Sequence, residues 1–194
     1  MSRPSGGERK REILQTLASL LEVNQGNHIT IAMLAKEIGI SEAALYRHFP
    51  GKEQMFEGLI EFIEETVFTR ITRILAESSG ADHQVQSILS LVLGFADRNP
   101  GLTRLLHGDV LVGETDRLRK RMAQFFNRLE SQLKQILREA RLVDETQQSA
   151  ADSARLLTAY LEGRIAQFVR NGFSVSPIDG WDEHWHMLHG VIFR

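Results

Sequence analysis

Between Thr30 and Lys52 stand hydroxyls, a phenol, an imidazole and cations at spacings that suit reading a nucleic-acid duplex rather than catalysis. Ser41 is followed by Glu42, Ala43 and Ala44, a helix cap and then small side chains. A helix that opens on small residues can bring its backbone deep into a major groove, where an alanine can touch a thymine methyl. Arg47 carries the fork that can read base edges. Tyr46 and His48 can donate to phosphates. So can the hydroxyls of Thr30 and Ser41, and Lys52 at the start of the next helix. The expected DNA-binding set is therefore Thr30, Ser41, Glu42, Ala43, Ala44, Tyr46, Arg47, His48 and Lys52.

Catalysis has no comparable footing. The chain holds no GxxxxGK[ST], no HExxH and no GxSxG. His184, His186 and His189 are close in sequence. On a helix the first two point about 200° apart and do not converge on one metal; they read as surface or interface residues. Glu64–Glu65 and Asp144–Glu145 read as solvated faces. Cysteine is absent, which removes disulfides and thiolate metal sites and suits a reducing cytoplasm. The opening MSRPSGGERKR lacks the apolar stretch of a secretory signal. No apolar run approaches the roughly 20 residues that span a bilayer. The expectation is a cytoplasmic protein that is not an enzyme and needs no cofactor or metal.

The elements that must position the reading set are helical throughout. Residues 30–49 divide into two short capped helices around Gly39, and a glycine there permits the tight turn that sets two helices nearly perpendicular. Ile31, Leu34, Ala35 and Ile38 face inward from the first helix, Leu45 and Phe49 from the second. Thr30 is expected to cap a helix through Gly39 and Ser41 one through Phe49. Before them, Ile13, Leu14, Leu17, Leu20 and Leu21 give an amphipathic helix broken at 24–28. After them, helices are expected at 52–76, 83–99 with a stop at Pro100-Gly101, 102–107, 114–140 and 146–171, then a linker over 172–180 and a last helix near 182–193. The fold class is all-α.

The formal net charge is −2. Residues 1–52 hold seven Lys/Arg against five Glu; the remainder holds 16 basic and 20 acidic residues. Phosphate attraction is thus confined to the head, while the acidic body is kept off DNA.

The stretch LAKEIGISEAALYRHFPGKEQMF resembles the head of the TetR family of regulators. That resemblance implies a three-helix helix-turn-helix head, placed at 8–67, and a helical dimerisation body, placed at 68–194. SEAALYRHFPGK, LIEFIEE and LGFADRNPGLTRLL resemble, more specifically, the nucleoid-occlusion branch of the family. Members of that branch bind DNA and antagonise FtsZ, the tubulin-like division protein. The resemblance implies a cytoplasmic, nucleoid-associated homodimer on an inverted repeat, with FtsZ as partner. It also implies that Phe62, Arg70, Leu91, Gly94, Arg98 and Asn99 act on FtsZ. A ligand-gated repressor of the same family, and a helical interaction module that does not bind DNA, are the competing readings.

A helical wheel bears on those positions independently. Over 52–76, Phe56, Ile60, Ile63, Val67, Ile71 and Ile74 form the core stripe, and Phe62 stands off it. Over 83–99 the core side is Val85, Ile88, Leu89, Val92, Phe95 and Ala96, with Leu91, Gly94 and Arg98 on another side. Gly94 in a helix interior suits a close backbone approach, by a partner or by another helix. The 146–171 helix is apolar on more than one face. Leu157, Leu161, Ile165 and Phe168, with Trp185 and Leu188 from the last helix, are the expected dimer seam.

Overall fold

The computed structural model describes residues 6–25, 28–141 and 149–193. Among them are nine α-helices: α1 Gly6–Val23, α2 Ile31–Ile38, α3 Glu42–Tyr46, α4 Lys52–Glu77, α5 Ala81–Arg98, α6 Pro100–His107, α7 Asp116–Arg141, α8 Ala150–Arg170 and α9 Trp181–Ile192. A 3-10 turn, Asp109–Leu111, precedes α7. Asp144, Glu145 and the expected start of the eighth helix at Thr146 lie outside the described residues. Most helix boundaries fall within one or two residues of the sequence reading, and two of the differences have a clear physical cause. The helix after Ser41 ends at Tyr46, and its last turn tightens as the His48 and Phe49 amides both donate to the Leu45 carbonyl, at 2.9 and 3.1 Å. Pro100 does not follow a helix end as a mere stop. It opens α6 at the first helical position, where its missing N–H would have had no partner.

The chain folds as two compact units, and neither is a continuous stretch of sequence. The first comprises residues up to Ile63 together with Pro100–Met122; the second comprises Glu64–Asn99 and Ala123 onward. The long helices α4 and α7 each contribute to both.

In the first unit, α1 buries Ile13, Leu17 and Leu21 at helical spacing. It packs against α2 and α6. Two residues of α6 make that packing possible. Gly101 crosses α1 where a side chain would strike the Ala18 carbonyl. Arg104 is 5% exposed, and four of the five N–H donors of its guanidinium are engaged. Its Nη1 donates to the carbonyls of Leu21 and Asn24 at 2.9 and 3.0 Å, while Nε and Nη2 donate to Asp109 Oδ2 at 2.8 and 2.6 Å. A buried arginine thus supplies donors to carbonyls at the end of α1, which carries no basic residue of its own in its last turn.

In the second unit, α5 packs against α8 and α9. Helix α7 turns Phe125, Phe126, Leu129, Leu133, Ile136 and Leu137 inward at three- and four-residue steps. Phe68 and Phe125 meet edge to face with centroids 5.3 Å apart. Tyr160 of α8 and His184 of α9 share a 2.9 Å hydrogen bond between Oη and Nδ1. Arg164 donates to the carbonyls of Ser176, Pro177 and Asp179, at 3.1, 3.0 and 2.9 Å, and so fixes the connection between α8 and α9.

Candidate nucleic-acid interface

The reading head is built by three local devices. Thr30 stays extended and its Oγ1 accepts the Met33 amide at 3.2 Å, starting α2. Gly39 ends α2 in the left-handed conformation at φ 77°. There the amides of Gly39 and Ile40 both reach back to the Ala35 carbonyl, at 3.0 Å each. Ser41 then caps α3, its Oγ accepting the Ala44 amide at 3.2 Å. Of the residues expected to face inward, Leu34, Ala35, Leu45 and Phe49 are buried, while Ile31 and Ile38 are half-buried. What remains outside is the set named from sequence. Glu42, Ala43, Tyr46 and Arg47 are exposed, and Ala44 and His48 are half-buried. Thr30 and Ser41 are also exposed. Their hydroxyl oxygens accept the capping bonds, so each hydroxyl proton remains available to a phosphate.

Lys52, expected to donate to a phosphate, has a carboxylate partner within the chain. Its Nζ sits 2.6 Å from Glu114 Oε1 and 5.2 Å from the centre of the Phe56 ring. With only 24% of its side chain exposed, the ammonium is already paired. It can hold a phosphate only by exchanging one anion for another. The next residues of α4 repeat the pattern: Glu53 accepts from Thr115 at 2.8 Å, and Glu57 pairs with Arg117 at 2.9 Å. A cavity of 290 Å³ in this unit is lined by Leu21, His28, Lys52, Phe56, Arg104 and Asp109, among others. Lys52 and Arg104 are both engaged with carboxylates there.

Residues 21–59 match the model of bacterial regulatory proteins of the tetR family, and residues 80–192 match the model of the tetracyclin repressor-like, C-terminal domain in its SlmA-like form. The nucleoid occlusion factor SlmA of Alteromonas mediterranea is 53% identical over 179 residues, covering 91% of this chain and 92% of that one. That of Marinomonas sp. is 52% identical over 183 residues, 93% of each. The chain belongs to the SlmA family of TetR-type regulators. The fold has its counterpart in a TetR transcription regulator from Haloarcula marismortui, with a TM-score of 0.78 at 19% identity over 96% of this chain and 98% of that one. The chain is a DNA-binding regulator of this family and not an enzyme.

The positions set apart for a protein partner fall on both units. Phe62 lies in the first and is 50% exposed, off the core stripe of α4 as the wheel required. Arg70, Leu91, Gly94, Arg98 and Asn99 lie in the second. Arg70 and Arg98 are exposed and Leu91 is half-buried. Gly94 is buried rather than open to a partner's backbone, because the Arg98 guanidinium lies over it. Asn99 donates from Nδ2 to the Phe95 carbonyl at 2.8 Å.

The expected dimer seam requires a correction. Leu157 and Leu161 have no exposed surface, Ile165 and Phe168 have 1% and 3%, and Trp185 has 8%. Packing within a single chain, in part against α5, covers this stripe, and only Leu188 is half-exposed. The outward face of α8 is Leu156, Ala159 and Gly163 instead, and α9 turns out Met187 and Val191. Nothing lies within 4 Å of where a Cβ on Gly163 would stand, so the small residue there is open to an approaching helix. The three histidines of α9 stand in separate surroundings. His184 bonds Tyr160, and His189 stacks on Phe193 with its Nε2 3.8 Å from Asp82. His186 is exposed. Burial raises the Tyr160 phenol above its ordinary range, partly offset by Arg164, so its hydroxyl remains a donor and acceptor through the physiological range.

Proposed function

We propose that this protein is a nucleoid-occlusion factor: a homodimer that binds an inverted repeat on chromosomal DNA and there antagonises FtsZ assembly, keeping the division ring off the nucleoid. The proposed setting is the cytoplasm, on the nucleoid. The observation that carries the reading is Phe62. A half-exposed phenylalanine outside the DNA-reading helix is the kind of aromatic anchor on which a protein partner's affinity concentrates. SlmA proteins, half identical over nine-tenths of the chain, are named nucleoid occlusion factors, which supports the same reading. In the head, Arg47 and the start of α3 read bases, while Tyr46, His48 and the capping hydroxyls of Thr30 and Ser41 hold phosphates. Lys52 joins them by leaving Glu114. Two copies meet through Leu156, Ala159, Gly163, Met187 and Val191, and place two heads on half-sites about 34–36 Å apart or a multiple of that.

The deciding experiment is sedimentation of FtsZ polymers with the purified protein, with and without a duplex it selects from a random pool. Loss of polymer from the pellet, enhanced by the duplex, is the expected result. Unchanged FtsZ polymer at saturating protein and duplex would leave a transcriptional repressor as the better reading.

A further inference from the structure

We infer that Gly94 acts on the protein partner through Arg98, as the seat of its guanidinium, rather than by touching the partner itself; this rests on the proposed FtsZ surface at the end of α5. The three atoms nearest to where a Cβ on Gly94 would stand are Nη1, Nη2 and Cζ of Arg98, at 3.2, 3.4 and 3.6 Å. Arg98 is one turn further along the same helix, and its planar head lies over the bare backbone that the glycine leaves. A Cβ at 94 would stand close enough that the guanidinium must shift by a few tenths of an ångström from its seat to admit it. Arg98 is otherwise exposed, and among the described residues no carboxylate pairs with it.

The residues on either side of Arg98 are held as well. Asp97 Oδ1 accepts the Ser176 hydroxyl at 2.6 Å, and Ser176 sits in the connection that Arg164 fixes. Asn99 is bonded back to the Phe95 carbonyl. An uncommitted guanidinium, laid on a glycine between two fixed neighbours, is a pre-positioned fork. The chemistry it fits is a carboxylate of an acidic segment, taken through two parallel N–H donors. Fixing the fork beforehand spares part of the ordering cost of binding.

Gly94→Ala, Arg98→Ala and the double variant, made in the full chain and loaded with the selected duplex, test this by titration with purified FtsZ at several salt concentrations. Arg98→Ala should weaken binding about tenfold and flatten its salt dependence. Gly94→Ala, which shifts the fork without removing it, should weaken binding less, about threefold. In the Arg98→Ala background, Gly94→Ala should change the affinity by less than about twofold, because interacting residues are not additive. A merely structural role is excluded by the melting midpoint, which should not fall, since alanine favours the helix. The NMR signal of the Arg98 Nε–H group should move in Gly94→Ala as the head is displaced from its seat. An equal loss from Gly94→Ala in both backgrounds would overturn the inference and make the glycine itself the contact. An unchanged Nε–H signal would overturn it too. If that signal moves but neither single variant weakens FtsZ binding, the seat exists and the proposed FtsZ surface is what fails.

Discussion

Gly101 and Ala18 are in backbone contact: a methyl group on residue 101 would overlap the Ala18 carbonyl oxygen. The obstacle is main chain on both sides, so no rotamer change relieves it. Gly101→Ala should therefore lift α6 from α1 and destabilise the first unit by about 2–3 kcal/mol, at the upper end of overpacking effects. Denaturant unfolding followed by circular dichroism measures the change. Gly58 offers the control within the same unit. A Cβ there meets only side-chain atoms of Leu14, at 3.1 and 3.3 Å, and of Phe49 at 3.7 Å. Those side chains can shift, so Gly58→Ala should cost less than Gly101→Ala.

What the sequence made legible was local. Thr30, Gly39 and Ser41 fix their own backbone within a few residues, and their caps and turn formed where the residue types placed them. The wheel separated Phe62 from Ile60 and Ile63 because burial on one helix follows its own period. What remained hidden depended on distant partners. An apolar stripe on α8 reads the same whether α5 of its own chain or a second copy covers it. Lys52 looks like a free cation until Glu114, 62 residues on, is brought beside it. Arg104 offers no sign in sequence that its donors serve carbonyls 80 and 83 residues earlier.

The Lys52–Glu114 pair gives a second prediction. If the ammonium exchanges the carboxylate for a phosphate, Glu114→Gln should raise DNA affinity several-fold on every sequence, because the competing anion is gone. Lys52→Ala should weaken binding uniformly and lower the salt slope by about one. Fluorescence anisotropy across a salt series, on selected and random duplexes, measures both. A Lys52→Ala variant with an unchanged slope but a lower melting midpoint would keep the pair as a structural strut.

The corrected seam gives a third. Leu161→Glu buries a charge where no surface is exposed and should unfold the second unit rather than release folded monomers. Met187→Glu, at a residue 60% exposed, should instead leave the helical content intact and shift the molecular mass to that of a single chain. Light scattering behind a sizing column distinguishes the two. A folded Met187→Glu variant that stays dimeric would move the seam off the outward face of α9.

Phe62 and Thr30 together separate the two proposed activities. Phe62 is half-exposed and lies outside α3, so Phe62→Ala removes little core surface and should leave the melting midpoint and the DNA affinity nearly intact. Truncating an aromatic anchor at a partner surface should cost about 2 kcal/mol or more of FtsZ binding. Thr30→Ala acts in the opposite sense. It removes the acceptor of the Met33 amide, at a cost of about 1 kcal/mol to α2, together with a hydroxyl available to a phosphate. DNA binding should weaken while direct binding to FtsZ, measured without duplex, survives. Anisotropy for DNA and calorimetry for FtsZ, run on both variants, should give opposite pairs of outcomes. A Phe62→Ala variant that binds FtsZ with parental affinity would remove the anchor from the proposed surface. A Thr30→Ala variant that loses both activities equally would mean that the head does not function separately from the partner surface.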